Sequence, residues 1–508
     1  MRNLFKPTSY RKGAFLAVGS TALWKGLSFA NALLVAAYFG AGTATDLYFY
    51  IILALGLGTY FLQRMNAAVI IPEAMALDAT APHKGRSLLN GFLYFYIGLL
   101  AACAAVAFLC PVQVARGLSR FNPAELAAQR PLLVWGIWLL GLQLLVCYLT
   151  SILEMYRRFT SSLFSPLNAL LPLIFLLVGA KQYGIISLLY GFVLSNVLQI
   201  LVFIWALKKE LHWQFDSWIL FPSRTFTRNL LSNQLMEFIN IVNGLLPLYL
   251  LSGLAAGLVS ALNYAKQLTD SANEVLTLRV TNISKIELTE YASRKLQKLF
   301  NRSYLHTHRL LCLLLTPLCV FSVFYAPEII TIFFKRGLFN SQDVAQTAAF
   351  LRPLLGVLLF MVPNLMQNNA VAACRLVKKF MPYALVSMLL FTAAIPCTMY
   401  YYGPFAYPYT LLACLLAGFI VNMFFFRRYI PFLAFGKALV EMGRLILLNL
   451  IALVPALLYR HYLAGENVWI TLGLSGIIFM ATLAFLLHVT QDLPWLLRNF
   501  KRSSAPLP

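Results

Sequence analysis

Residues 39–46 read FGAGTATD, two glycines, two threonines and one acid between two long apolar runs. The stretch admits two readings. As a glycine loop it would cradle a phosphate; as a turn it would join one membrane helix to the next. A dinucleotide fingerprint needs a third glycine, a strand before it and a crossover helix after it. None of these surrounds GAGTAT. The stretch therefore reads as a tight outer turn, with Gly40 and Gly42 allowing reversal and close helix approach. Asp46 then falls at the N-terminal end of the following span, where a carboxylate caps the helix or faces its dipole.

Composition supports the turn. Of 508 residues, 60% are hydrophobic and 11% are charged, against about 25% charged in a soluble domain. Apolar runs of about 20 residues, enough to cross a bilayer, recur from one end to the other. They are continuous rather than alternating, which selects helices over a barrel. Fourteen spans are expected near 14–38, 47–71, 90–115, 132–155, 161–180, 184–207, 230–252, 255–283, 309–334, 348–373, 380–401, 405–426, 439–459 and 467–489. The basic N-terminus leads into a span too long for a signal peptide's apolar region, so it reads as an uncleaved cytoplasmic tail.

The charge distribution tests that count. The net charge of +23 would suggest nucleic acid in a soluble protein. Here it is the sum of basic loops on one side of a membrane, and no nucleic-acid partner is expected. With the N-terminus inside, inner segments hold 27 of the 40 lysines and arginines and outer loops hold 8. Lys25, Arg64, Lys266, Arg279 and Arg444 lie within spans. The bias persists to the last loop, which an odd number of missed spans would have reversed, so both termini are expected in the cytoplasm. The longest polar link, about 284–308, has the mixed charge and helical spacing of a surface helix.

An internal repeat is visible. YFGAGTATDLYFY at 38–50 and GLAAGLVSALNYA at 253–265 align on Gly42 and Gly257, 215 positions apart, and the same offset places Arg64 on Arg279. The fold expected is all-α and polytopic: two six-helix lobes related by the repeat, plus two C-terminal helices. The corresponding divisions are 1–207, 208–430 and 431–508. Transporters are commonly built this way, with the substrate site near the repeat interface.

Polar groups inside spans are costly, about 2.5–3.5 kcal/mol per charge on insertion scales, so they face a cavity or one another. Span one carries Lys25 and Asn31, span two Asp46, Arg64 and Asn66, and span seven Asn233, Glu237, Asn240 and Asn243. Span eight carries Lys266, Gln267, Asp270, Asn273, Glu274 and Arg279, and span ten ends with Asn364, Gln367, Asn368, Asn369 and Arg375. The steps of three and four place most of these on single helix faces. One reading makes them interhelical glue, with end residues reaching the interface. The other surrounds a wet cavity with spans one, two, seven and eight. That reading selects Lys25, Asn31, Arg64, Asn240, Lys266, Gln267, Asp270 and Arg279 as substrate-binding, and Asp46 as an outer gate contact that changes partners.

Enzyme signatures are missing. The six histidines are scattered, the eight cysteines form no CxxC, and there is no HExxH, Walker A or GxSxG. No catalytic residue, metal or cofactor is expected. Outer loops are short and acid-poor, which disfavours a membrane glycosyltransferase or acyltransferase.

Two stretches resemble the MurJ-type (MviN) lipid II flippases: FGAGTATDLYF after the first span, and EIITIFFKRGLFNSQDVAQTAAFLRPLLGVLLFMVPNLMQNNAVAACRLVKKFMPYAL at 328–385. The second has an apolar run, then GxF, then an acid and T-A before span ten. Chain length, span count and the 6+6+2 pattern agree. That family belongs to an exporter superfamily with polysaccharide flippases and multidrug exporters. The resemblance implies a bacterial inner-membrane transporter that moves a lipid-linked peptidoglycan precursor between leaflets by alternating access. It also implies a cationic cavity for the pyrophosphate, and a groove for the polyprenyl tail formed by spans 13 and 14. The chain departs from the family at its cations. Two family arginines of span one fall on Lys25 and Asn31, the one early in span eight falls near Gln267 beside Lys266, and the pair in span two has no counterpart except Arg64 further on. A sodium site needing acids and amides in spans seven and eleven is not supported, because 380–401 has neither. The expected substrate is lipid II, with another lipid-linked glycan as the alternative and a drug exporter behind it. A monomer is expected, with coupling to an unidentified ion or to the membrane potential.

Overall fold

The computed structural model describes residues 10–80, 82–220, 223–463, 465 and 467–495. All regular structure among them is helical. By contact they form two compact units. One holds the chain to Ser260 with Arg336–Phe339, and the other holds Ala261–Lys335 and the chain from Asn340.

The first unit contains α1 (Tyr10–Phe39), α2 (Thr43–Met65), a π-helical segment (Asn66–Ile70), α3 (Ile71–Thr80), α4 (Pro82–Leu109), α5 (Pro111–Leu118), α6 (Pro123–Ala128), α7 (Arg130–Met155), α8 (Leu167–Tyr183), α9 (Ile186–Glu210) and α10 (Arg224–Leu251). It closes on the first residues of α11 (Leu258–Ala272). Its core is built where α2, α4, α7 and α9 meet. Tyr96 stacks on Tyr148 with ring centroids 4.6 Å apart, and Phe92, Leu149, Ile152 and Phe203 are buried around them. The link after α9 is pinned to α4: Trp213 Nε1 donates to Asn90 Oδ1 at 2.7 Å, and the Ile219 amide donates to the Ser87 carbonyl at 2.9 Å. Spans five and six, adjacent in sequence, are divided by Gly184 at φ +62°.

The second unit continues α11 through a second π-helical segment (Asn273–Leu278) into α12 (Arg279–Ser293). It is completed by α13 (Gln297–Phe324), α14 (Ala326–Phe334), α15 (Ser341–Ala373), α16 (Val377–Tyr402), α17 (Ala406–Tyr429), α18 (Phe435–Tyr462) and α19 (Val468–Val489). α15 is opened by a capping box in which Asn340 accepts from the Asp343 amide and the Asp343 carboxylate accepts from the Asn340 amide.

Twelve helices among the described residues are long and apolar enough to cross a membrane. They stand where spans one to six and nine to fourteen are predicted. α10 and the rod from α11 to α12 occupy positions seven and eight; in α10 the stretch Glu237–Leu251 is apolar but shorter, and the rod carries the polar residues of span eight. The 284–308 link is not a separate surface helix. α12 runs on to Ser293, α13 starts at Gln297, and the chain turns between them with Lys295 at φ +57°. A polar helix end that projects beyond the apolar layer meets water, so the helix has no reason to stop at the membrane boundary.

A single turn type recurs at two helix ends that carry basic residues. After α7 the Arg158 amide reaches the Leu153 carbonyl at 2.8 Å; after α15 the Leu376 amide reaches Val371 at 3.0 Å. The residues Arg157 and Arg375 sit at φ 59° and 58°. These are Schellman closures with arginine in the left-handed position usually held by glycine. They end the fourth long helix of the first unit's series and its repeat-related counterpart.

Candidate functional site

The opening turn is gripped from two sides within the first unit. Gly40 (φ +63°) and Gly337 (φ +57°) interlock: a Cβ on Gly40 would press on the Leu338 carbonyl, and one on Gly337 would collide with the Ala37 carbonyl. The Leu338 amide donates to Ala37 at 3.0 Å. This explains the glycine of the RGLF stretch, because only glycine tolerates both the dihedral and the approach.

Asp46 departs from expectation. It lies in the first turn of α2, yet it does not cap that helix, whose N-cap is Gly42 with no side-chain cap. Its carboxylate accepts from the Gly257 amide at 2.7 Å, the Ser260 amide at 2.7 Å and the Ser260 hydroxyl at 2.5 Å. Asp46 thus caps the start of α11, the repeat-related helix. The second turn has no glycine-threonine run of its own to satisfy those amides, and a buried carboxylate needs donors. Asp46 is 2% exposed.

The remaining first-unit candidates go to separate partners. Asn31 is buried and donates to the Ala169 carbonyl of α8 at 2.7 Å. Arg64 is exposed, and its Nε and Nη2 donate to Tyr60 Oη at 2.8 and 2.5 Å. Asn240 is exposed and donates to Glu237 Oε2 at 3.0 Å. Lys25 is half-buried, with Nζ 4.7 Å from the Trp24 ring centroid.

In the second unit Lys266 and Gln267 are half-buried and Asp270 is exposed, all on α11. Lys266 and Asp270 are one helical turn apart on α11. The side chain of Arg279 lies outside the described residues. Among described residues no three of His, Cys, Asp or Glu are placed to hold a metal ion.

Three features were not foreseen from sequence. Each repeat-related helix, α2 and α11, passes into a π segment that begins with asparagine, and such segments mark functional sites often enough to single them out. Asn66 is fully buried; its Oδ1 accepts from Tyr96 at 2.9 Å while its amide nitrogen has no partner. A polar knot joins α8 and α9, where Asn168 Oδ1 accepts from Ser195 at 2.7 Å and Gln199 at 2.9 Å. The third is a charged cluster of Arg309, Glu441, Arg444 and Asp492. Asn66, Asn273 and Arg444 stood out beforehand, but only as polar groups inside spans. The rest depend on partners more than twenty residues away.

Twelve apolar spans among the described residues, the polar α11–α12 rod and an inter-repeat carboxylate cap define a multi-pass helical membrane protein of the transporter class. The family model for the lipid II flippase MurJ matches residues 35–476, and the chain belongs to that family. A Bdellovibrio bacteriovorus protein described as a probable lipid II flippase MurJ is 24% identical over 251 residues, covering 48% of this chain. The chain spans 47% of that curated relative's length. The solved structure "Lipid II flippase MurJ, inward closed conformation" superposes with a TM-score of 0.75 at 18% identity, covering 94% of this chain and 99% of that one. An inward-facing multidrug resistance MATE family transporter of the MOP superfamily gives 0.61 at 13% identity, covering 84% and 98%. At these identities the solved structures establish the fold.

Proposed function

We propose that this protein flips an undecaprenyl-pyrophosphate-linked saccharide, lipid II, from the cytoplasmic to the periplasmic leaflet of the bacterial inner membrane by alternating access. The observation that carries the reading is the family match across 35–476. Lys25, Lys266, Arg64 and Arg279 supply positive charge for the pyrophosphate, offsetting the cost of moving phosphate through a low-dielectric region. Asn31, Asn240, Gln267 and Asp270 contact sugar. Asp46 is an outer gate contact: its three acceptor bonds to Gly257 and Ser260 are strong when made and, being local and polar, are exchangeable for water. Both termini lie in the cytoplasm, as the excess of basic residues on one side supports. The lobes follow the repeat, 1–207 and 208–430, with 431–508 appended. The protein works as a monomer, without cofactor, coupled to an ion gradient or the membrane potential.

Complementation of a strain depleted of its lipid II flippase tests this. The wild-type chain restores growth, and Lys25→Ala lowers the rescue while Lys25→Arg retains it. Failure of the wild-type chain despite confirmed membrane expression removes the lipid II assignment. A second reading, a flippase for another lipid-linked glycan, is favoured by Lys25, Asn31 and Gln267 standing where the family carries arginine. It predicts restoration of a surface polymer without rescue of cell-wall synthesis.

A further inference from the structure

The appended helices α18 and α19 are bound to α13 at both ends. At one end, Arg460 of α18 pairs with Glu328 of α14 at 2.5 Å and donates to the Phe324 carbonyl at the close of α13 at 2.9 Å. Its guanidinium lies 5.1 Å from the Tyr325 ring centroid, and Tyr325 donates back to the Ala456 carbonyl of α18 at 2.8 Å. At the other end, Arg309 of α13 meets Glu441 of α18 at 3.3 Å and pairs with Asp492, just past α19. Arg444 of α18 bonds Glu441 and Asp492, each at 2.8 Å. The Asp492 side chain is fully buried and also accepts from Thr490 at 2.7 Å. Trp495 covers Arg309 at 4.4 Å, and the Ala434 amide, just before α18, donates to Asn301 of α13 at 2.9 Å. Between the two ends, Phe321 of α13 stacks on Phe479 of α19 at 5.3 Å, and Thr482 of α19 donates to the Ala452 carbonyl of α18 at 2.8 Å.

Two helices held only by lipid-facing side chains would need none of this. In a membrane, lipid tails compete with apolar packing, so fixed geometry comes from close packing and polar pairs. Here polar pairs sit at both ends of one long contact, which resists both sliding and splaying. Arg444, a charge inside a span, is accounted for by its pairing with Glu441 and Asp492. We propose that α13, α18 and α19 move as one rigid body throughout the transport cycle, with the Arg309–Glu441–Arg444–Asp492 cluster and the Arg460–Glu328 pair as its two clamps. The appended helices are thereby a fixed wall carried by α13, not a flexible attachment. This rests on the reading of the chain as a transporter that changes conformation.

The test links the helices covalently. In a variant whose eight native cysteines are replaced and which still complements, Asn301→Cys is paired with Ala434→Cys, and separately Glu328→Cys with Arg460→Cys. Each pair is joined by a flexible bis-maleimide. Outer-leaflet exposure of the lipid-linked precursor in spheroplasts is then measured. A rigid body keeps flipping within twofold of the unlinked pair. Loss of flipping on linking, in a protein active before linking, overturns the proposal and leaves the flippase reading intact. A wild-type chain that never complements sinks the flippase reading instead. A second arm places spin labels on α13 and α18. One narrow distance is expected in the wild type with and without precursor, and broadening in Asp492→Ala. A distance that shifts with precursor overturns the proposal. The linking arm keeps the Asp492 cluster and decides alone if Asp492→Ala does not insert.

Discussion

Asp46 and Ser260 are joined twice: the Asp46 carboxylate accepts from the Ser260 amide at 2.7 Å and from its hydroxyl at 2.5 Å. One side chain from the first repeat thus completes a helix that begins the second.

Replacing that carboxylate strips α11 of its cap. Asp46→Asn keeps the shape but turns an acceptor-only group into one with its own N–H donors, set against backbone donors. The expected loss is about 1–2 kcal/mol, with Asp46→Ala at least as severe. Thermal melting in detergent reports the stability loss and complementation reports the gate. Unchanged melting and rescue in both variants removes any role for the contact.

The interlocked glycines make a comparison between sites. Gly337 and Gly184 have nearly the same φ, +57° and +62°, but a Cβ at Gly184 meets nothing within 4 Å while one at Gly337 strikes Ala37. Gly184 stands at φ 62° and ψ −147°, a backbone region nearly confined to glycine, so Gly184→Asn should cost about 1–3 kcal/mol from strain alone, and Gly337→Asn, which adds the collision with Ala37, distinctly more. Equal melting temperatures for the two variants would refute the steric account.

Arg375 is held at φ 58° at the close of α15. If its role is only to end that helix, Arg375→Gly relieves left-handed strain and raises stability by about 0.5–1 kcal/mol. A loss of stability or of rescue would show that the guanidinium is used, and Arg375→Lys would then separate charge from geometry.

Asp492 gives the pH dependence. Burial alone would raise its pKa, but hydrogen bonds from Arg309, Thr490 and Arg444 outweigh burial and hold the carboxyl below the usual aspartate range. A depressed carboxyl contributes stability that is present above the unfolded pKa and lost as pH falls through the folded one. The wild-type advantage over Asp492→Asn, about 1–3 kcal/mol, should therefore be flat from about pH 7 to about pH 5 and shrink only in stronger acid. An advantage already fading near neutrality would contradict the assignment.

Much of this was legible in order along the chain. Apolar runs and basic loops locate the spans because each depends on local composition alone. The echo of residues 38–50 at 253–265 marks two repeat-related turns, and the polar residues of span eight set the α11–α12 rod apart from the apolar spans. The site was less legible. Asn31, Arg64 and Asn240 lie on α1, α2 and α10, and their partners, Ala169, Tyr60 and Glu237, divide between a distant helix and neighbours on their own.

By itself the sequence determined a polytopic helical protein with an internal repeat and a glycine turn after its first span, since apolar length, small residues and charge act within a window of a few turns. Tertiary structure decided what the turn is for. Asp46 looked like the cap of its own helix and is the cap of another, 211 residues on, and Gly337 is required by a carbonyl at Ala37. A carboxylate goes to whichever unpaired amides the fold brings closest, and a glycine is needed wherever two backbones touch. Both depend on distances in space that separation along the chain does not encode.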